Sequence, residues 1–293
     1  METSLVMPIL NASVSAFRGP ICSFANSVIM EAISSDEYGA VWKRLGSERA
    51  SLINPKSKCI KVLQPRESEP LIETARNEAT KTAFVLNYFR ERDPIALSFA
   101  FHLTKQKRTR LSGLLDLSFV GDTYVQNRTR FQLASDATRD KIREFYQVLT
   151  CAQQKSQGLI LTLGRFNSAL VRQDGHDKIV DISISLESLI EGTAEQLSHK
   201  FATYNAWAAE PDSSKRRQVF DTLRTLYSAR SAIVHGDVSR AKKIAAVIDK
   251  WGDVSQIAAR ALAYHILFLY EHSPSEWYRH QQDLVLGLDA RIV

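Results

Sequence analysis

Arg230 and His235 are the two side chains whose types, spacing and setting would most readily do chemistry. Both fall in Leu226-Tyr227-Ser228-Ala229-Arg230-Ser231-Ala232-Ile233-Val234-His235-Gly236. The apolar residues Val219, Leu223, Leu226, Tyr227, Ile233 and Val234 recur at helical spacing and predict a helix from about Lys215 to His235, closed by Gly236. Arg230 follows Leu226 by four positions and precedes Val234 by four, so it projects from the face expected to be buried. A cation there needs a reason: a core carboxylate such as Glu187, the water at the helix edge, a symmetric partner or a phosphate. His235 stands five residues on, about 140° further round the helix, on a face with Arg224, Ser228 and Ser231. As the last residue before the terminating glycine it lies beside the negative end of the helix dipole. An imidazole so placed suits proton transfer, or it merely caps the last carbonyls.

The spacing alone is not distinctive, since Arg260 and His265 repeat it within a bare amphipathic helix. Other chemistries find no support. His176 and His199 lack companions at metal-ligand spacing, and Cys22, Cys59 and Cys151 are too widely spaced for a disulfide framework or a Cys-x-x-Cys site. No Gly-rich phosphate loop and no Gly-x-Ser-x-Gly elbow occurs. Neither a metal nor a cofactor is expected. Trp207, Trp251 and Trp277 fall at helical positions and read as packing residues.

The elements that must position Arg230 and His235 are helical. Residues 137–171 predict one long helix or two, and Ile179, Ile182, Leu186, Leu189 and Ile190 form one stripe closed by Gly192. Further helices are expected at about Glu195–Ala209, 238–250 and 254–272, joined by the short loops of an antiparallel bundle. Ahead of these, apolar spacing after Pro70 predicts a helix that Pro94 must end. Ile95 to Thr104 alternates with period two and predicts a half-buried strand, with Leu111–Phe119 and Arg128–Leu133 as candidate neighbours. Lys105, Lys107, Arg108 and Arg110 would then occupy a hairpin tip, either solvated or contacting the phosphates of RNA. The expected fold class is α+β overall: an all-α C-terminal bundle, and an N-terminal α+β region containing a small antiparallel sheet. The expected division is 1–136, a bundle over 137–275, and a tail over 276–293.

The chain has 293 residues, 44% hydrophobic and 24% charged, which is ordinary globular composition and excludes disordered or fibrous classes. Its 38 Lys and Arg against 32 Asp and Glu leave a net charge of +6, which favours polyanionic partners without identifying one. Glu2 stands where a secretory leader wants positive charge, so the N-terminus is read as part of the mature chain. No apolar run approaches the length of a membrane span, and the cysteine usage fits a reducing compartment; a cytoplasmic protein with no membrane partner is expected.

LYSARSAIVHG, preceded by GRFNSAL at 164–170 and DKIVDISISLESLIEG at 177–192, resembles the HEPN superfamily and most closely its Apea-like branch. The resemblance covers about Thr150 to Lys250. It implies a helical bundle that forms a homodimer, and a metal-independent endoribonuclease acting as a bacterial toxin or phage-defence effector, with an antitoxin or defence-system protein as a possible partner. The family's arginine and histidine fall on Arg230 and His235, and the polar residue that often follows the arginine falls on Ser231, where ribonuclease branches often carry Asn or Asp. Leu186-Glu187-Ser188-Leu189 matches the branch's glutamate-bearing helix, making Glu187 a partner for Arg230; Tyr227 is a further supporting residue. Cleavage of RNA by its own 2′-hydroxyl needs a base, an acid and a cation for the phosphorane, roles that His235 and Arg230 would fill in two copies around a dimer groove. A non-catalytic HEPN dimer binding RNA, a nucleotide or a partner protein as an adaptor is the alternative.

Overall fold

A computed structural model describes residues 139–192 and 195–288 almost continuously, and before them residues 2–8, 22–25, 28–32, 35–36, 58–63, 71–91, 93–95, 99–105 and 109–116. The chain divides into two compact units, Met1–Gln147 and Val148–Val293.

Of the residues whose side chains are described, 83% are helical, 3-10 turns included, and none lies in a strand. The expected α+β class is therefore corrected: the body that carries side-chain detail is an all-helical bundle. Among the described residues the nine helices are, in the first unit, α1 (Leu71–Tyr88), then α2 (Arg139–Lys155), which crosses the boundary, and in the second unit α3 (Gly158–Val171), α4 (Gly175–Glu187), α5 (Leu197–Ala209), α6 (Ser213–His235), α7 (Ala241–Asp249), α8 (Trp251–Glu271) and α9 (Trp277–Leu286). In the first unit only backbone pairing is described for extended segments. These are β1 (Glu2–Pro8), β2 (Cys22–Ala25), β3 (Val28–Ala32), β4 (Lys58–Leu63), β5 (Phe99–Lys105) and β6 (Thr109–Asp116), hydrogen-bonded antiparallel in the order β2-β3-β4-β1-β5-β6. The strand expected from Ile95 begins at Phe99, its neighbours are β1 and β6, and Arg128–Leu133 lies outside the described residues.

Two expected boundaries also move. The division at 136 falls instead after Gln147, because the first half of α2 belongs with α1: the Tyr146 hydroxyl donates to Glu78, whose carboxylate also pairs with Lys81 at 2.9 Å. Residues 277–286 are not a tail. They form α9, whose Trp277 is 2% exposed and donates its indole N–H to the Leu189 carbonyl at 2.6 Å.

In the second unit α3 pairs with α4, α5 pairs with α6, and α4 lies against α6; α8 packs on α5, α7 covers a flank of α6, and α9 packs on α5. The core is apolar and closed, with Leu163, Phe166, Ile182, Leu186, Phe201, Leu223, Leu226 and Ile266 all fully buried. Each such side chain contributes about 1.5–3 kcal/mol by leaving water. Inside this apolar setting one carboxylate is fixed by two cations. Asp181, 4% exposed, accepts from Arg165 Nη1 at 2.8 Å and Arg172 Nε at 3.0 Å, which ties α4 to α3 and its C-terminal end.

Candidate functional site

The helix carrying both candidate residues is defined at each end by its own sequence. Asp212 caps α6, its carboxylate accepting from the Ser214 N–H at 2.9 Å. At the other end Gly236 adopts φ +66°, Gly236 N–H donates to Ile233 O at 3.3 Å and Asp237 N–H to Ala232 O at 2.8 Å, a Schellman arrangement. Those two backbone donors satisfy the Ala232 and Ile233 carbonyls. His235 is exposed, and among the described residues no group hydrogen-bonds its ring, so capping of the helix does not occupy it.

Arg230 is engaged within the single chain. Its Nη2 donates to Glu187 Oε2 at 3.1 Å, and the side chains are 24% and 18% exposed. Arg230 and Glu187 are thus joined as the sequence pairs them, across the packed faces of α4 and α6. The buried stripe of α6 runs Val219, Leu223, Leu226, Ala229 and Ala232, whereas Val234, expected on it, is 53% exposed. Burial therefore follows the small residues Ala229 and Ala232 toward the end of α6, and Arg230 and Val234, on the row that begins at the buried Leu226, lie progressively further from the core.

The pair is incompletely satisfied. Glu187 Oε1 and Arg230 Nε are both buried without a hydrogen-bond partner. Burial is the larger influence on Glu187 and raises its carboxyl above the usual range, while the Arg230 charge and hydrogen bond pull the other way. Tyr227 lies one turn below, with the Arg230 guanidinium 5.9 Å from its ring centroid and its own ring tilted against Phe201 at 5.2 Å. Burial chiefly, and the Glu187 charge next, push the Tyr227 hydroxyl up, with Arg230 opposing. Ser231 follows Arg230 and is half-buried.

The end of α4 that presents Glu187 is held from several directions. Ser188 Oγ lies 2.8 Å from Thr162 Oγ1 and donates to Ser185 O at 2.7 Å. Ser185 Oγ donates to Thr162 O at 2.9 Å. The Leu189 carbonyl, two residues beyond Glu187, accepts from both Trp277 Nε1 at 2.6 Å and Gln281 Nε2 at 2.7 Å. Sequence reasoning missed these α9 contacts; the signal was the Trp277 and Gln281 pair, four residues apart on one helical face. It also missed Lys243, whose Nζ donates to Ser228 Oγ at 2.9 Å and brings a cation from α7 to the face that Ser228 shares with His235.

His235 and Arg230 are separated by about 7.5 Å of helix rise and about 140° around the helix axis. One chain therefore presents a tethered, half-buried guanidinium and an exposed imidazole on different faces of one helix. The basic cluster is placed only in part. Lys105 ends β5 and Arg110 pairs with Thr104 through β6, while Lys107 and Arg108 lie outside the described residues. Among the described residues no cluster of three His, Cys, Asp or Glu is placed to hold a metal, and no helix is long and apolar enough to cross a membrane. Trp207 is covered by Arg216, 3.5 Å from its ring centroid, and is thereby occupied in packing.

No family model, curated protein or solved structure matches this chain.

Proposed function

We propose that the bundle is a HEPN-like, metal-independent endoribonuclease, acting as a toxin or phage-defence effector, whose site forms where two α6 helices meet in a homodimer. The observation that carries this reading is the contrast along one helix: His235 is exposed with no partner among the described residues, and Arg230 is held in place by Glu187. A free imidazole can take the proton of an RNA 2′-hydroxyl. The oxygen then attacks phosphorus, Arg230 of one copy neutralises the added charge, and a protonated His235 gives its proton to the departing 5′-oxygen. The products are a 2′,3′-cyclic phosphate and a 5′-hydroxyl. Glu187 acts as a positioning residue.

The test is single-turnover cleavage of total RNA and tRNA in EDTA, with His235→Ala and Arg230→Ala compared after each is shown to be a folded dimer. Cleavage by the wild type that is lost in both variants supports the reading, and no cleavage of any RNA overturns it. The ion pair favours a second reading, a non-catalytic dimer that binds RNA or a partner protein, because Arg230 already has a carboxylate of its own. In that case Arg230→Ala lowers stability and leaves RNA binding in place.

A further inference from the structure

The face of α6 that carries His235 also gathers cations with no carboxylate of their own. Arg217 and Arg230 of this helix pair with Asp221 and Glu187 at 3.2 Å and 3.1 Å. Arg224 of α6 and Lys243 of α7, by contrast, are exposed and pair with no carboxylate among the described residues. Arg224 is also in line with the imidazole. At about 100° per residue, Arg224, Ser228 and Ser231 fall within about 40° of His235 around the helix axis, at about 16.5, 10.5 and 6 Å of rise before it.

Lys243 reaches this row from α7, its Nζ donating to Ser228 Oγ at 2.9 Å. The Ser231 hydroxyl, between Ser228 and His235, makes no hydrogen bond among the described residues. Every group in the row can donate a hydrogen bond: a guanidinium, an ammonium, hydroxyls and an imidazole. Toward the start of α6 the row meets a carboxylate only at Asp221, which Arg217 already holds.

A small anion would touch only part of a row about 16.5 Å long, whereas a linear polyanion, with charge repeated along its length, meets all of it. We propose that this row is the track for the RNA strand, an inference that rests on the ribonuclease reading. With the scissile phosphate at His235, phosphates further along the same strand lie against Ser231, Lys243 and Arg224. Lys243 then exchanges the neutral Ser228 oxygen for a charged one, which makes the stronger hydrogen bond. Arg224 and Lys243 are positioning residues: they hold the strand in register and do not touch the reacting atoms.

The experiment measures binding of the full chain, in EDTA and over a range of salt concentrations, to a single-stranded RNA oligonucleotide whose 2′-oxygens are methylated so that it cannot be cut. Arg224→Gln and Lys243→Gln should each reduce the slope of log affinity against log salt by about 0.7, a weakening of about fivefold at about 0.1 M salt. Lys243→Arg keeps the charge and should bind as the wild type does. Lys250→Gln, which removes an equal charge just beyond the far end of α7, should leave the slope unchanged. With unmodified RNA the two glutamine variants should raise KM by about fivefold and leave kcat unchanged. The proposal is overturned if the oligonucleotide does not bind, if both glutamine variants keep the wild-type slope, or if Lys250→Gln lowers it as much as they do. Polyglutamate of equal charge binding as tightly as the RNA also overturns it, and would point to an acidic protein. Cleavage with the wild-type KM in both glutamine variants overturns the track alone. The expected losses of binding with no cleavage of any RNA overturn the ribonuclease reading and leave the track as a binding surface.

Discussion

Burial of His265 sets a pH limit on the stability of the bundle, and its size follows from the structure. The ring is packed within α8, edge-on to Trp277 at a centroid distance of 4.4 Å and 69°, and its Nδ1 is buried with no hydrogen-bond partner. Desolvation pushes the imidazole from 6.5 down to about 3. The unfolded chain therefore takes up a proton that the folded chain refuses, so stability is full above the unfolded value and is lost as pH falls from 6.5 toward 3. Linkage across that window gives a loss of about 2 kcal/mol on going from about pH 7 to about pH 5. The assay compares urea unfolding of the wild type and His265→Leu, following the tryptophan signal of the second unit, at both pH values. Groups common to the two proteins cancel in the difference, so the wild type should lose about 2 kcal/mol more than the variant. A difference that does not change with pH, or an NMR titration of the His265 ring with a midpoint above about 5.5, would refute the reasoning.

Two other changes test the elements that frame the site. Gly236→Ala places a β-carbon at φ +66° with no atom within 4 Å, so its cost is backbone strain alone. It should lower the unfolding free energy by about 1–2 kcal/mol without altering the fold seen by circular dichroism. Asp181→Asn keeps the shape of the side chain and removes the charge that Arg165 and Arg172 share. A loss of about 1–3 kcal/mol in urea unfolding is expected, and no change would show that the two arginines are satisfied by water.

What could be read from the sequence was local. Gly236 marks the C-terminal end of α6 by chemistry that needs no neighbour, and the Leu186-Glu187 segment on one apolar stripe makes Glu187 available to Arg230, whereas the start expected at Lys215 lies at Ser213, capped by Asp212. The rotation of α6 was not legible, because the sequence offers Ile233 and Val234 as well as Ala229 and Ala232 for burial. Burial falls on the alanines. Strand order was not legible either. β1 pairs with β4 and β5, partners more than 50 and more than 90 residues away, and nothing within a strand specifies so distant a neighbour. The α9 segment looked like a tail because its burial rests on one tryptophan and one glutamine reaching a carbonyl on another helix. A periodicity argument cannot see a single hydrogen-bond acceptor.

That acceptor has a consequence for the site. Trp277 Nε1 and Gln281 Nε2 converge on the Leu189 carbonyl, and Leu189 follows Glu187 by two residues in the turn that ends α4. α9 thus braces the turn that directly follows Glu187, the carboxylate that holds Arg230. Gln281→Leu removes the donor to the Leu189 carbonyl and the acceptor of the Glu191 N–H at 3.3 Å, and leaves the apolar stem. Loss of the two bonds should cost about 1–3 kcal/mol. More tellingly, the Arg230 Nε–H resonance, which has no partner of its own in the wild type, should shift as Glu187 gains freedom. Loss of stability with the Arg230 signal unmoved would mean that α9 braces the bundle without positioning Glu187. If both change together, α9 is part of the apparatus that sets the Arg230 guanidinium in place.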